Sequence, residues 1–308
     1  MYRSFFLAIA RNETVKRFLL TFPLVRKIMN KFIVGETWAD AQRVINTLLD
    51  KGLKASVDLV EEDVHSPGEV AQNLETYLGI LDRISEQDWA HEVDLSVKLT
   101  ALGLLLRHGE ELATTNAATI AAKAKAIGTT ITIDMEEVTT TARTLRVVQA
   151  LREKYPEVGC TYQANLKRTE ADCRASESLP SRARLCKGAF RVPAHAAIVD
   201  AHDVDLSYVR CLKALMEGAT RPLIATHDPV IIEIAQELAA HSNRVLKDFE
   251  FQMLYGIRTV EQERLADLGY VVRVYVPFGK DWYGYFVRRL AERPANLFFF
   301  LRALISRN

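Results

Sequence analysis

SVDLVEE (56–62), DLSVKLT (94–100), ITIDMEE (131–137), GCTYQAN (159–165), ARLCKGA (183–189), LIATHD (223–228), FEFQML (249–254) and VRVYVPF (272–278) decide the fold. They are short strand-like runs at roughly even intervals, and most end in polar residues. Helix-like stretches lie between most of them, at 67–84, 101–126, 138–154, 169–179, 207–217, 229–241 and 259–268. This alternation predicts an α/β fold, a (β/α)8 TIM-type barrel whose chemistry sits at the strand ends. The 308 residues exceed the ~250 typical of such a barrel, and the surplus is mostly N-terminal. Residues 1–54 read as an N-terminal helical extension and 55–308 as the barrel. Within the extension, 38–51 is the best amphipathic helix, with Trp38, Ala41, Val44, Ile45, Leu48 and Leu49 on one stripe.

Strand phase carries a second signal, because side chains alternate faces along a strand. Ile131, Ile133 and Met135 oppose Thr132, Asp134 and Glu136. Leu95, Val97 and Leu99 oppose Asp94, Ser96, Lys98 and Thr100. Thr161, Gln163 and Asn165 share a face, as do Arg273 and Tyr275. Barrel strands are normally apolar on both faces, and an unsatisfied buried polar face is costly. The expectation is a polar, ligand-filled mouth lined by Asp58, Glu62, Lys98, Asp134, Gln163, Arg184, Gln252 and Tyr275. The competing reading is a polar network that satisfies itself.

Composition sets limits on the function classes. The chain is 49% hydrophobic and 26% charged, with a net charge of +1, so nothing electrostatic argues for nucleic acid. The four cysteines form no CxxC pair, and a reducing compartment fits. No apolar run approaches the ~18–20 residues of a membrane span. The expected compartment is the cytoplasm. The histidines are scattered, so no metal site is expected, and neither a Walker loop nor GxGxxG occurs.

The segment after the last strand, DWYGYFVRRLAERPAN (281–296), is the most distinctive. On a helix Tyr285, Arg288, Arg289 and Glu292 share one face. Two adjacent guanidiniums there could grip a carboxylate bidentately. Placed after strand eight, this C-terminal helix is expected over the barrel mouth.

YFVRRLAERPAN resembles the YxxRRLxEN-type signature of proline dehydrogenases, which are FAD-dependent (β/α)8 enzymes. SVDLVEE, SVKLT, ITIDMEE, YQAN, LCKGAF, ATHD, EFQMLYG and RVYVPFG are similar to that family's strand segments, in the family's order, from about residue 35 to 300. The length suits the monofunctional bacterial type. The resemblance implies FAD as cofactor and L-proline as substrate. Proline would be oxidised to Δ1-pyrroline-5-carboxylate by hydride transfer from C5 to flavin N5, the first step of its catabolism to glutamate. Electrons would pass to a membrane quinone, and a separate pyrroline-5-carboxylate dehydrogenase would act downstream.

The same resemblance assigns residues. Arg288 and Arg289 match the pair that binds the proline carboxylate, with Lys98 as a third cation. Asp134 matches the acid that pairs with the second arginine, and Glu62 the acid that pairs with Arg288 to close a gate. Glu61, standing where glycine is common, is the other gate candidate. Tyr275, Tyr285, Leu185 and Leu254 match the pocket around the five-membered ring. Gln163 and Arg184 match side chains near the isoalloxazine. Cys186, Lys187, Gly188 and Ala189 match the strand-five turn, and Thr226, His227 and Gln252 match further FAD contacts. Phe190-Arg191 departs from the family's Tyr-Trp.

Two other classes stay open on the residues alone. Lys98 and Lys187 lie at strand ends, where a desolvated amine could form a Schiff base in a lyase or aldolase. A non-catalytic barrel could also bind a small acid through Arg288 and Arg289. The apolar, basic ending FFFLRALISRN could pack on the barrel or cover another subunit, the favoured reading; it and the Phe/Lys/Arg-rich start are also candidates for peripheral contact with the inner face of the cell membrane.

Overall fold

The computed structural model describes residues 33–61, 64–176, 180–188 and 192–280. Glu62, Ala189, Tyr285, Arg288 and Arg289 therefore lie outside the described residues. A closed parallel barrel runs in sequence order through β1 (Lys54–Leu59), β2 (Val93–Val97), β3 (Thr130–Ile133), β4 (Gly159–Gln163), β5 (Arg182–Cys186), β6 (Arg221–Ala225), β7 (Glu250–Leu254) and β8 (Val271–Phe278). Every expected run overlaps its strand. Several strands end before the polar tail of the run, so Lys98, Asp134 and Glu136 emerge where the ladder gives way to loops.

The helices are α1 (Trp38–Leu49), α2 (Pro67–Ser85), α3 (Gly109–Ala126), α4 (Thr141–Arg152), α5 (Thr169–Ser176), α6 (Ala201–Glu217), α7 (Pro229–His241) and α8 (Thr259–Asp267). Their starts follow capping chemistry. Ser66 accepts from the Glu69 N–H ahead of Pro67, and Asp228 accepts from the Val230 N–H ahead of Pro229. Thr37 and Asp40 form a capping box.

Two helix starts differ from expectation by more than a turn, and α4 begins three residues late, at Thr141. The stretch expected as helix from 101 runs as turns until Gly109, because its carbonyls are taken by side chains: Asn116 donates to Leu102 O and Arg143 to Leu104 O. α6 begins at Ala201 rather than 207, because Asp200 caps the His202 and Asp203 N–H groups.

The strand register sorts the residues into two environments. Val57, Leu95, Val97, Ile131, Ile133, Tyr162, Leu185, Ile224, Phe251 and Val274 face the helices and join one apolar core with them. α1 shares that core at the β8–β1 seam, with Trp38 edge-on to Phe278 at a centroid distance of 6.1 Å. The opposite faces, carrying Ser56, Asp94, Ser96, Thr132, Arg182, Arg184, Glu250, Gln252 and Arg273, turn into the barrel. A typical barrel fills this space with Val, Ile and Leu. Here the hydrophobic effect acts on the outer face of the strands, and hydrogen bonds fill the centre.

Candidate active site

At the N-terminal end of the barrel the interior is closed by matched charges. Asp94 takes hydrogen bonds from Arg182 at 2.7 Å, Thr130 at 2.7 Å, Thr132 at 2.9 Å, Ser56 at 3.1 Å and Arg184 at 3.2 Å. Glu250 takes Arg273 Nε at 2.7 Å and Gln252 Nε2 at 2.6 Å. Arg273 also donates to the carbonyls of Ala55 and Glu92. Burial alone would raise both carboxyls, but the arginines outweigh it. Arg182 and Arg184 hold Asp94 far below the usual range, and Arg273 does the same for Glu250.

Arg184 forms the floor between this tier and the mouth. Its N–H groups reach Gln252 Oε1 at 2.7 Å, Ser96 Oγ at 2.9 Å, Asp134 Oδ1 at 2.7 Å, Ser56 Oγ at 3.0 Å and Asp94 Oδ2 at 3.2 Å. Each donor of the guanidinium thus has an acceptor inside the protein. The Tyr275 ring lies 5.3 Å from the guanidinium carbon. Arg184 and Gln252, expected at the mouth, make their hydrogen bonds within the protein, the pattern of the competing reading of a polar network that satisfies itself.

Above that floor, at the C-terminal ends of β1, β2 and β3, carboxyls outnumber cations among the described residues. Lys98 is ion-paired to Asp58 and donates to Leu59 O at 2.9 Å. Against the burial that would neutralise it, Asp58, Asp134 and Glu61 hold its ammonium above the ordinary lysine range. Asp134 accepts from Tyr275 Oη at 2.8 Å and Thr161 Oγ1 at 3.3 Å, besides Arg184. Burial pushes Asp58 up, against the pull of Lys98. Burial likewise raises Glu136, which accepts from the Thr100 N–H and hydroxyl. Glu61 is pushed up to about 7 by burial, with Lys98 and a 2.8 Å bond from the Tyr77 hydroxyl opposing. Lys98, Asp134 and Tyr275, assigned to one pocket by sequence, do converge from three strands.

The ends of β4, β5 and β6 form the adjoining wall. Gln163 Nε2 donates to the Met135 and Glu136 carbonyls at 3.0 and 3.1 Å. Its Oε1, and Oδ1 of Asn165, are buried without a hydrogen-bond partner among the described residues. Gly188 adopts φ +105°, and a Cβ there would overlap the Asn165 amide. Orphan acceptors beside a glycine turn fit a group bearing N–H or O–H donors. Lys187 spans Asp205 at 2.5 Å and Asp228 at 3.0 Å, and these acids hold its ammonium above the usual range despite partial burial. Thr226 Oγ1 accepts from the Asp228 N–H at 3.1 Å. His227 Nε2 accepts from the Leu254 N–H at 2.9 Å, tying β6 to β7. Cys186 Sγ lies 3.3 Å from Tyr162 O.

One assignment fails on strand parity. Leu185 was expected against the substrate ring, but Arg184 points into the barrel, so Leu185 points to the helices, where it is fully buried. Leu254 sits on the interior face, in register with Tyr275. Sequence reasoning missed Arg182 and Glu250, which stepping two residues back from Arg184 and Gln252 would have found. It also missed Tyr77: a tyrosine on a helix's apolar stripe gives no sequence sign of its hydroxyl's partner.

A Schiff-base lyase needs a neutral amine. Lys98 and Lys187 are both held cationic by carboxylates, so the geometry disfavours that class. No helix among the described residues is long and apolar enough to cross a membrane.

Fold and site together define an α/β barrel enzyme with an ionic interior and an acid-rich mouth. The family profile described as Proline dehydrogenase matches residues 41–302. Proline dehydrogenase 1 of Bacillus subtilis subsp. natto is 36% identical over 309 residues, covering 100% of both chains. Proline dehydrogenase of Deinococcus radiodurans is 34% identical over 315 residues, covering 99% of this chain and 98% of the other. Among solved structures, proline utilization A (PutA) from Bdellovibrio bacteriovorus, inactivated by N-propargylglycine, superposes with a TM-score of 0.81 at 22% identity. That match covers 86% of this chain but only 32% of the PutA chain, and it supports the barrel fold alone. This chain belongs to the proline dehydrogenase family, a family of oxidoreductases.

Proposed function

We propose that this chain oxidises L-proline to Δ1-pyrroline-5-carboxylate with FAD as the resident cofactor. The convergence of Lys98, Asp134 and Tyr275 carries the reading, because one pocket then holds a cation, an acid and an aromatic wall. When bound, the flavin would supply a two-electron acceptor, taking hydride from proline C5 at N5 and passing the electrons to a membrane quinone.

The protein's part is binding and orientation. Lys98 would meet the proline carboxylate together with Arg288 and Arg289. The excess carboxyls around Lys98 supply the counter-charge that several cations on one anion require. Tyr275 and Leu254, on adjacent strands, would pack on the ring with Tyr285. Asp134 fixes the Tyr275 hydroxyl and so the wall that aims C5. No protein base is needed for the C–H bond, since the nitrogen lone pair drives hydride loss once the amine is neutral. Glu62 with Arg288 is the proposed gate.

For the cofactor, Gln163 Oε1 and Asn165 Oδ1 offer acceptors to flavin N–H and ribityl hydroxyl groups. Cys186, Lys187, Gly188 and Ala189 form the proposed turn beside them, with Thr226 and His227 on the next strand. Arg184 and Gln252, already bonded to the protein, would act through charge and through the groups they hold. Quinone reduction brings the protein to a lipid surface. The segments 1–32 and 298–308, outside the described residues, are the proposed contacts of a cytoplasmic enzyme on the inner face of the membrane. A separate pyrroline-5-carboxylate dehydrogenase would consume the product.

The test is the absorption spectrum of the purified protein before and after anaerobic addition of L-proline. A yellow protein that bleaches is expected. A colourless protein that takes up no FAD, or a yellow one that proline leaves unchanged, would overturn the proposal.

A further inference from the structure

Glu61 stands just beyond β1, and its carboxyl has an unusual set of neighbours. Tyr77 of α2 is fully buried. Its hydroxyl donates to Glu61 Oε2 at 2.8 Å and accepts from the backbone N–H of Lys98 at 3.3 Å. One phenol thus joins the end of β1 to the residue carrying the mouth's ammonium. Glu61 Oε1 is buried with no hydrogen-bond partner among the described residues. The charged and titratable groups felt by Glu61 are Lys98 after β2, Tyr77 on α2, Asp58 on β1 and Glu136 after β3. The ammonium of Lys98 is already engaged by Asp58. An ionised Glu61 would therefore add a negative charge that no described cation bonds directly.

Tyr77 remains a phenol, since burial and the neighbouring Glu61 raise it well above its ordinary range. It therefore stays the donor to Glu61 and cannot neutralise it. Ionisation of Glu61 accordingly changes the potential around Lys98, rather than being absorbed by its partner.

We propose that Glu61 and Tyr77 form a positioning unit for Lys98, in which the ionisation state of Glu61 sets how strongly the mouth holds an anionic carboxylate. The inference rests on the proline-oxidation reading above and names a residue that tunes that site. With Glu61 neutral, Lys98 is countered chiefly by Asp58 and attracts the carboxylate. With Glu61 ionised, the extra charge repels it. Affinity for an anion falls as pH rises through the Glu61 titration, which burial places near 7. Tyr77 keeps the two groups in register, so losing its hydroxyl would loosen the coupling.

The experiment measures KM and kcat for L-proline between pH 6 and pH 9 on holoenzyme of wild type, Glu61→Gln and Tyr77→Phe. Flavin bleaching by proline is recorded on each. Changes in the proline amine are common to all three, so the wild-type to variant ratio isolates Glu61. At high pH, Glu61→Gln should lower KM about three- to tenfold, the scale of one charge a few ångströms away under near-aqueous screening. Near pH 6 the two proteins should agree within about twofold, because Glu61 is then largely neutral. The effect should fall on KM rather than kcat. Tyr77→Phe should shift the midpoint of the KM ratio, which a merely structural role would leave in place. A ratio independent of pH, with proline still bleaching the flavin, would overturn the inference and leave the proline reading standing. Absence of bleaching in wild type would overturn both.

Discussion

Glu250 and Glu61 stand at opposite ends of one barrel, and their carboxyls are displaced in opposite directions. Glu250 meets Arg273 and Gln252 and is held far below the ordinary range. Glu61 meets a phenol, with one oxygen unpartnered among the described residues, and is pushed up to about 7. Asp94 at the lower end repeats the first pattern, and Glu136 at the mouth repeats the second. Residue type alone does not decide a carboxyl's behaviour. The balance between desolvation and bonded cations does. The lower tier is complete without a ligand and serves the fold. The upper tier carries an excess of acid that further cations and an anionic ligand can organise.

The largest effect expected is on the lower tier. Glu250→Gln leaves Arg273 buried without its counter-charge and should lower the unfolding free energy by about 3–5 kcal/mol in urea titration. A loss below about 1 kcal/mol would break the distinction between tiers. Next comes substrate binding: Arg288→Met should raise KM for proline tenfold or more while FAD stays bound. A lost charge-assisted contact is worth roughly 1.5–3 kcal/mol. Unchanged proline affinity would remove Arg288 from the mouth.

The pH dependence of stability should split along the same line. Asp94 and Glu250 have depressed folded-state values, so their contribution is present above the ordinary carboxylate range of ~4 and is lost as pH falls below it. Glu61 has a raised value, so the folded state holds a proton the unfolded chain has released. Its effect is a loss of stability as pH rises from the ordinary glutamate value of 4.5 toward about 7. Thermal unfolding across pH 3 to 8 would show both limbs, and Glu61→Gln should flatten only the upper one. The smallest effect is a control. Arg146→Ala removes an exposed pair with Glu110 and should change stability by no more than about 0.5 kcal/mol. A larger loss would mean that ion pairing matters here irrespective of burial.

The barrel was legible because its signal is repeated. Eight strand-like runs, most of them ending in polar residues, leave little freedom in topology, and strand parity located most of the interior. Lys98, Asp134 and Tyr275 could be grouped because each sits on the polar face of its run. What parity alone does not supply is satisfaction. Nothing in RARLC shows that Arg184 uses its donors on serines, carboxylates and a glutamine from other strands, since those partners are set by barrel closure. The Leu185 assignment, taken from the family resemblance, failed because a strand reverses face at each residue and Arg184 takes the interior position. Tyr77 was hidden because an apolar helix stripe reads the same with or without a hydroxyl that finds an acid. The turns at 101–108 were read as helix because side-chain partners for their carbonyls come from α3 and α4.

The most direct test of the two-tier account is equilibrium denaturation of Glu250→Gln and Glu61→Gln against wild type at pH 8. It makes the same chemical change at both ends of the barrel. The account predicts opposite signs: Glu250→Gln less stable by several kcal/mol, and Glu61→Gln more stable by about 1 kcal/mol or more, since removing a carboxylate with a raised value relieves its desolvation. Destabilisation of both variants by similar amounts would contradict it, and would mean that the mouth's acids are held by matched charges just as those of the lower barrel are.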